Sequence, residues 1–396
     1  MTRRTGAGGA AVILAALCPA ACLQTVVLSP PGVESAGGSS GLDAGNLPDG
    51  GGSGDRDGAS DRNTACTSSN TALAIRRPWP SIVLAVDHTN SMGNRLGNGT
   101  RLEEVSSALT SRLNKYGPVV RFGYVEFPGT SRSCSNTTNS CCVGSVTQPA
   151  PNTENGILSA IDQCVSSGSG CVSGDGAPTA QMLAQVNKAY DDLLNSGGGT
   201  STAADLELRF VLLITDGEPG CATGASVDPC EQAANEVAGL SIQGIRTFVV
   251  GVGGDLPNDD SRGGNKCING MANVSGIVRS AVGPFYYPAT TDNLLGGYLT
   301  SIITQTVCHL ELLDEPADPD RTEIQFSMQV SAGSSNFMNV PVPRDTTHTN
   351  GWDYERTADT KVTFYGNACT TFIDTVLTGG MQRVRVQGCP IPSPAH

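Results

Sequence analysis

The sequence predicts an α/β fold: a doubly wound, mainly parallel sheet flanked by helices, with a small disulfide-linked β-rich module at the C-terminal side. Three observations carry the prediction. Uninterrupted apolar runs rich in β-branched residues alternate with amphipathic stretches through the middle of the chain. After Cys308 the texture changes to short alternating runs separated by turn residues. Fourteen cysteines occur without a C-x-x-C pair and with only four histidines, which argues for disulfides in an oxidising compartment and against zinc sites of ordinary spacing.

The 396 residues carry 24 basic and 37 acidic side chains, a formal charge of −13, which argues against a nucleic-acid partner. Residues 1–22 read as an export signal: Arg3 and Arg4 precede an apolar run from Ala10 to Ala21, too short to span a bilayer. The run ends in Ala20-Ala21-Cys22, which resembles a bacterial lipoprotein cleavage box with Cys22 as the lipid-bearing residue, although Pro19 stands where an aliphatic residue is usual. Loss of Cys18 with the signal and acylation of Cys22 would leave an even set of cysteines to pair. The expected location is the cell surface, outer membrane or periplasm as a lipoprotein, with membrane attachment only through that lipid, and otherwise the secreted fraction. Residues 23–76 read as a Gly/Ser/Asp-rich tether that buries too little apolar surface to offset its ordering entropy. Gly37-Gly38-Ser39-Ser40-Gly41 matches the hydrolase pattern G-x-S-x-G, but without a strand before it and a helix after it the match has no meaning.

The main domain is expected over residues 80–306, with a Cys-rich insert at about 131–175. Ser81 to Val86 is the first strand, followed by a helix announced by a Thr100/Glu103 capping box and by Leu102, Val105, Leu109 and Leu113 at helical spacing. Val119 to Phe127 is the second strand. Met182, Val186, Ala189, Tyr190 and Leu193 mark a helix face, Leu208 to Thr215 a third strand, Asp228 to Leu240 a helix, and Thr247 to Val252 a fourth strand. A helix near Ile268 to Ile277, a short strand Phe285 to Tyr287 and a helix from Asp292 to about Thr306 complete the alternation. In such sheets ligands bind at the carboxyl ends of the strands. There the first strand runs into Asp87-His88-Thr89-Asn90-Ser91, the third into Thr215-Asp216-Gly217, and Gly176-Ala177-Pro178-Thr179 presents a hydroxyl at the start of a helix.

These three loops resemble the metal-ion-dependent adhesion site of the von Willebrand factor type A domain: D-x-[S/T]-x-S, a distant Thr and a T-D-G loop, in the family's order, within a resemblance that spans roughly Pro80 to Val307. The resemblance implies that Thr89, Ser91 and Thr179 offer hydroxyl oxygens to a metal and that Asp87 and Asp216 contact it directly or through water. It also implies an open coordination position for a carboxylate from a protein ligand. The residue chemistry agrees, since an all-oxygen donor set suits a hard cation, Mg²⁺ first and Mn²⁺ or Ca²⁺ as substitutes. Thr89 replaces the commoner Ser, and Asn90 stands where the family prefers Gly, a position Asn can fill because it tolerates left-handed backbone. His88, among oxygen donors only, reads as a solvent-facing loop side chain.

Within the insert lie Cys134, Cys141, Cys142, Cys164 and Cys171. Close loops such as Cys164 with Cys171 and Cys221 with Cys230 are the expected pairings, although spacing does not fix connectivity. The C-terminal module is expected over residues 307–392, with strands at Glu323 to Val330, Met338 to Val342, Lys361 to Tyr365 and Arg383 to Val386, closed by Cys308, Cys369 and Cys389. Three function classes fit the pattern: a surface-tethered binding or adhesion module, a disulfide-stapled scaffold with a degenerate metal site, and an Asp-dependent phosphohydrolase using Asp87. The last lacks the second aspartate two residues on, where Thr89 stands, so the expectation is a binding protein and not an enzyme.

Overall fold

The computed structural model describes residues 71–388, apart from 130–140, 167–175, 196–207, 223–225, 257, 260, 262–264, 317, 331–333, 356–359 and 381–382. The export signal, Cys22 and residues 23–70 of the tether therefore lie outside the described residues, as do Cys134, Cys171 and Cys389. Among the described residues no helix is long and apolar enough to cross a membrane.

The chain begins in two short strands, β1 (Thr71–Ala72) and β2 (Ile75–Arg76), where the tether was expected to continue. It then enters the α/β domain: β3 (Ser81–Asp87), a 3₁₀ turn at Asn90–Gly93, a small hairpin of β4 (Arg95–Leu96) and β5 (Gly99–Thr100), α1 (Arg101–Tyr116) and β6 (Arg121–Phe127). The capping box forms as read, with the Glu103 N–H donating to Thr100 Oγ1 at 3.2 Å and the Thr100 N–H to Glu103 Oε2 at 2.6 Å. The expected insert contains regular structure: β7 (Thr147–Ala150) and α2 (Glu154–Ser166). β7 escapes a sequence reading because it is a short edge strand containing Pro149, a residue that an edge strand tolerates and a central one does not. The domain continues through α3 (Thr179–Asn195), β8 (Arg209–Thr215), α4 (Pro229–Ile242), β9 (Ile245–Val252), α5 (Lys266–Val274), β10 (Tyr287–Ala289) and α6 (Asp292–Val307).

The six-stranded sheet has the order β10-β9-β8-β3-β6-β7, parallel throughout except for β7. Its central strand is buried on both faces, and its side chains alternate between two cores as strand geometry requires. Ile82, Leu84 and Val86 join residues of α1, α2 and α6, whereas Val83 and Ala85 join residues of α3, α4 and α5. Winding thus reverses between β3 and β8, and the carboxyl ends of those two neighbours form the crevice in which α/β sheets hold ligands.

The last part of the chain forms β11 (His309–Leu312), β12 (Glu323–Gln329), β13 (Phe337–Val342), β14 (Gly351–Tyr354), β15 (Lys361–Tyr365), α7 (Gly366–Gly379) and β16 (Val384–Gly388). Two antiparallel sheets result, β1-β16-β12-β13 and β14-β15-β11-β2. The module is therefore β-rich but includes a 14-residue helix, whose Phe372 packs on Phe326 and Phe364. It is also completed by β1 and β2, one in each sheet. The α/β domain is thus inserted between the second and eleventh strands of the chain, and the two parts share one continuous core that runs from α1 and α6 to Phe326, Trp352 and Phe364.

Three disulfides join described residues: Cys141–Cys221, Cys230–Cys267 and Cys308–Cys369. The expected Cys221–Cys230 loop is not formed. Cys221 instead ties the loop after β8 to the start of the insert, and Cys230 ties the first turn of α4 to α5. The expected partner of Cys164, Cys171, lies outside the described residues.

Candidate metal centre at the carboxyl ends of β3 and β8

β3 and β8 pair in register from Ser81↔Arg209 to Val86↔Ile214, so the residues that follow, Asp87 and Thr215, emerge side by side. Thr215 Oγ1 donates to Asp87 Oδ2 at 2.6 Å, and the Thr89 N–H donates to Asp87 Oδ1 at 2.8 Å. Thr89 Oγ1 lies 3.0 Å from Ser91 Oγ, which donates to Asp216 Oδ1 at 2.8 Å. Hydrogen bonds thus link Asp87, Thr89, Ser91 and Asp216 in sequence, the first through the Thr89 N–H and the others between oxygens. Thr179 is buried at the first position of α3, and its loop is held against the third one by the Gly220 and Cys221 N–H groups, which both donate to Ala177 O, at 3.0 and 3.3 Å. All five residues expected from the sequence are therefore located on three loops at one end of the sheet.

Asp87 is 1% exposed. Burial, and secondarily the charge of Asp216, pushes its carboxyl up to about 6, against the opposing pull of the Thr215 and Thr89 hydrogen bonds. The Asp216 carboxylate nearby opposes the ionisation of Asp87, a tension that a cation between them would relieve. Among the described residues no group of three or more His, Cys, Asp or Glu side chains could hold a metal. An ion at this crevice therefore depends on hydroxyl oxygens as well as the two carboxylates. That donor set fits a hard, oxygen-seeking divalent ion that keeps part of its water shell, and it fits a soft ion poorly.

Two readings of the first loop change. His88 is buried, not solvent-facing: its Nε2 lies 3.2 Å from the Tyr124 hydroxyl, so the ring packs beneath the loop. The alternation of a strand explains this, since the residue after Asp87 still follows the strand's period and turns inward. Asn90 opens the 3₁₀ turn and does not adopt the left-handed backbone its tolerance would have permitted.

Sequence reading missed one residue altogether. Arg101, at the first position of α1 and 4% exposed, donates from Nη1 to Asp216 Oδ2 at 2.5 Å, while its Nη2 pairs with Asp255 in the loop after β9. Its guanidinium lies flat against Gly253, whose φ is +121° and where a Cβ would come within 2.8 Å of three guanidinium atoms. Only glycine meets both demands. No local signal marks Arg101, because its two partners are 115 and 154 residues away.

Comparison with known proteins finds no matching family model and no matching curated protein. Solved structures with a similar course include a pilus adhesin of Lactobacillus rhamnosus GG, 13% identical over 78% of this chain and 39% of its own, with a TM-score of 0.44. Manganese-loaded TRAP protein of Plasmodium vivax is 12% identical over 69% of this chain and 97% of its own, with a TM-score of 0.41. Proximal thread matrix protein 1 of the mussel byssus, with a zinc-occupied MIDAS motif, is 15% identical over 61% of this chain and 50% of its own, with a TM-score of 0.37. This chain thus spans half or less of the adhesin and the byssus protein.

Proposed function

We propose that this chain is an exported binding module of the von Willebrand factor A type, which recognises a protein ligand through a divalent cation held by Asp87, Thr89, Ser91, Thr179 and Asp216. The observation that carries the reading is the hydrogen-bonded cluster of carboxylates and hydroxyls at the reversal point of the sheet. Mg²⁺ is the ion this donor set suits best, with Mn²⁺ or Ca²⁺ able to replace it. When bound, the ion supplies a Lewis-acidic position for an anionic group, and a carboxylate on a partner protein is the ligand of matching hardness. The chain's own residues orient the site: Thr215 and the Thr89 N–H fix both oxygens of Asp87, and Ser91 aligns one oxygen of Asp216.

The sequence speaks against hydrolysis through Asp87. A phosphohydrolase of this kind would need a second aspartate two residues on as general acid, and Thr89 stands there. Anchoring through lipid on Cys22, at an outer membrane or cell surface, belongs to this proposal and rests on the N-terminal sequence alone.

One observation favours a second reading. Arg101 already pairs with Asp216, which suits a disulfide-stapled scaffold whose metal site is degenerate. Capture of partners from cell-surface extracts, with Mg²⁺ and with EDTA, separates the two. The binding reading predicts capture that EDTA abolishes and that Asp87→Ala loses while the variant stays folded by circular dichroism. Undiminished capture by folded Asp87→Ala would sink it.

A further inference from the structure

We infer that Arg101 is a built-in counter-cation of the metal centre, which competes electrostatically with the bound ion and makes the loaded site demand an anionic ligand. This rests on the proposed metal site and names how that site is tuned. Arg101 is no ordinary surface arginine that happens to reach an acid. It is 4% exposed, it donates to a carboxylate whose side chain is fully buried, and a positive-φ glycine makes room for its guanidinium. A second carboxylate, that of the exposed Asp255, holds its other amino group from outside.

The charges decide the consequence. Without Arg101 the two buried carboxylates, Asp87 and Asp216, would neutralise a divalent ion completely. With Arg101 present, the buried set of two acids and one base carries a single net negative charge, so the loaded site keeps a positive charge that the exposed, solvent-screened Asp255 offsets only in part. The ion is then held less tightly than two carboxylates alone would hold it, and the remaining charge attracts an anion. Cation and anion should therefore bind cooperatively, each tightening the other by the same factor. In the metal-free chain the guanidinium compensates Asp216, so the empty site does not carry two unrelieved charges. The contact is made to Asp216 Oδ2 and Ser91 bonds Oδ1. One oxygen of Asp216 is thus tied to the arginine and the other faces the hydroxyl loop.

The test is Mn²⁺ titration of the full chain, followed by the loss of the free-ion electron paramagnetic resonance signal, with and without saturating acetate. It is done on wild type, Arg101→Gln, Arg101→Lys and Asp255→Asn. Removal of the charge in Arg101→Gln should tighten Mn²⁺ at least about tenfold and shrink the enhancement given by acetate. Arg101→Lys, which keeps the charge, should stay within about threefold of wild type, and Asp255→Asn should weaken Mn²⁺ slightly by removing a carboxylate that partly offsets the arginine's charge. Folded Arg101→Gln that binds Mn²⁺ no more tightly than wild type, with acetate coupling intact, overturns the inference and leaves the metal site standing. Binding in Arg101→Gln but not in wild type upholds the inference and overturns the metal-dependent function, because Arg101 then supplies the cation permanently. No binding in either overturns both. Should Arg101→Gln fail to fold, Arg101→Lys and Asp255→Asn decide: a tenfold change in Arg101→Lys would contradict a role carried by charge.

Discussion

The two ends of the central sheet both bury charge, and they do so in opposite ways. At the carboxyl end, Asp87 and Asp216 converge among hydroxyls and meet a buried arginine. At the amino end, Arg77 and Arg121 are buried over the Trp79 ring, 4.3 and 5.8 Å from its centroid, and Arg77 donates to the main-chain oxygen of Val119 at 3.1 Å. Burial alone holds the Arg77 guanidinium down to about 10. The amino end spreads its charge over an aromatic face and a carbonyl, and it fastens the segment that links β2 to β3. The carboxyl end gathers oxygens of like character around one crevice. Burial of charge by itself therefore says nothing about function; what distinguishes the two ends is whether the polar atoms converge.

Stability measurements can break this contrast. Asp216→Ala leaves the buried Arg101 with only the exposed Asp255 as a partner and should destabilise the chain by about 3 kcal/mol in urea unfolding. An effect below about 1 kcal/mol would mean that the pair is loosely solvated and the crevice not dry. Removing the Cys141–Cys221 disulfide, which spans 80 residues and pins the loop beyond Asp216, should cost about 2–4 kcal/mol by the same measurement.

A third prediction concerns the seam between the two parts of the chain. His309, at the start of β11, sits with Nδ1 2.9 Å from Glu355 and Nε2 3.0 Å from Gln305 O near the end of α6. The hydrogen bond with His309 lowers the Glu355 carboxyl to about 2, below its ordinary value of 4.5. A carboxyl depressed by folding stabilises the fold above its unfolded pKa and loses that contribution as pH falls through the folded one. Glu355 should therefore contribute fully above about pH 4.5 and lose its contribution between there and about pH 2. Since the side chain is about a third exposed, screening leaves about 1–2 kcal/mol. Glu355→Gln should remove that share near neutral pH and flatten the acid limb of a stability profile; an unchanged acid limb would contradict the pairing.

The smallest effect is expected at the amino end. Arg77→Met keeps the stacking volume over Trp79 and abandons no carboxylate, so about 1 kcal/mol or less should be lost. A loss as large as that of Asp216→Ala would erase the contrast between the two ends.

Much of this was legible in the sequence, for identifiable reasons. β3 and β8 are apolar on both faces, so they read as uninterrupted runs, and the polar loops beyond them read as strand ends. The Thr100/Glu103 box marks α1 because both halves of the reciprocal bond are local. What stayed hidden depends on distant partners. β1 and β2 are two residues each and are strands only because β16 and β11 lie beside them. The helix α7 follows β15 without an N-cap side chain, and its Phe, Ile, Thr and Val residues suit a strand equally well. Proximity in sequence points Cys221 to Cys230, whereas the sheet brings it to Cys141. Arg101 looks like any arginine beginning a surface helix until Gly253 and Asp255 are brought to it.

The central claim is that the carboxyl end of the sheet holds one divalent cation between Asp87 and Asp216. Isothermal titration of the purified chain with Mg²⁺ and Mn²⁺ tests it most directly. The account predicts saturable binding of a single ion that Asp87→Asn and Asp216→Asn each weaken at least about a hundredfold. Absence of heat with either ion in the folded wild-type chain, or undiminished binding in both variants, would contradict it.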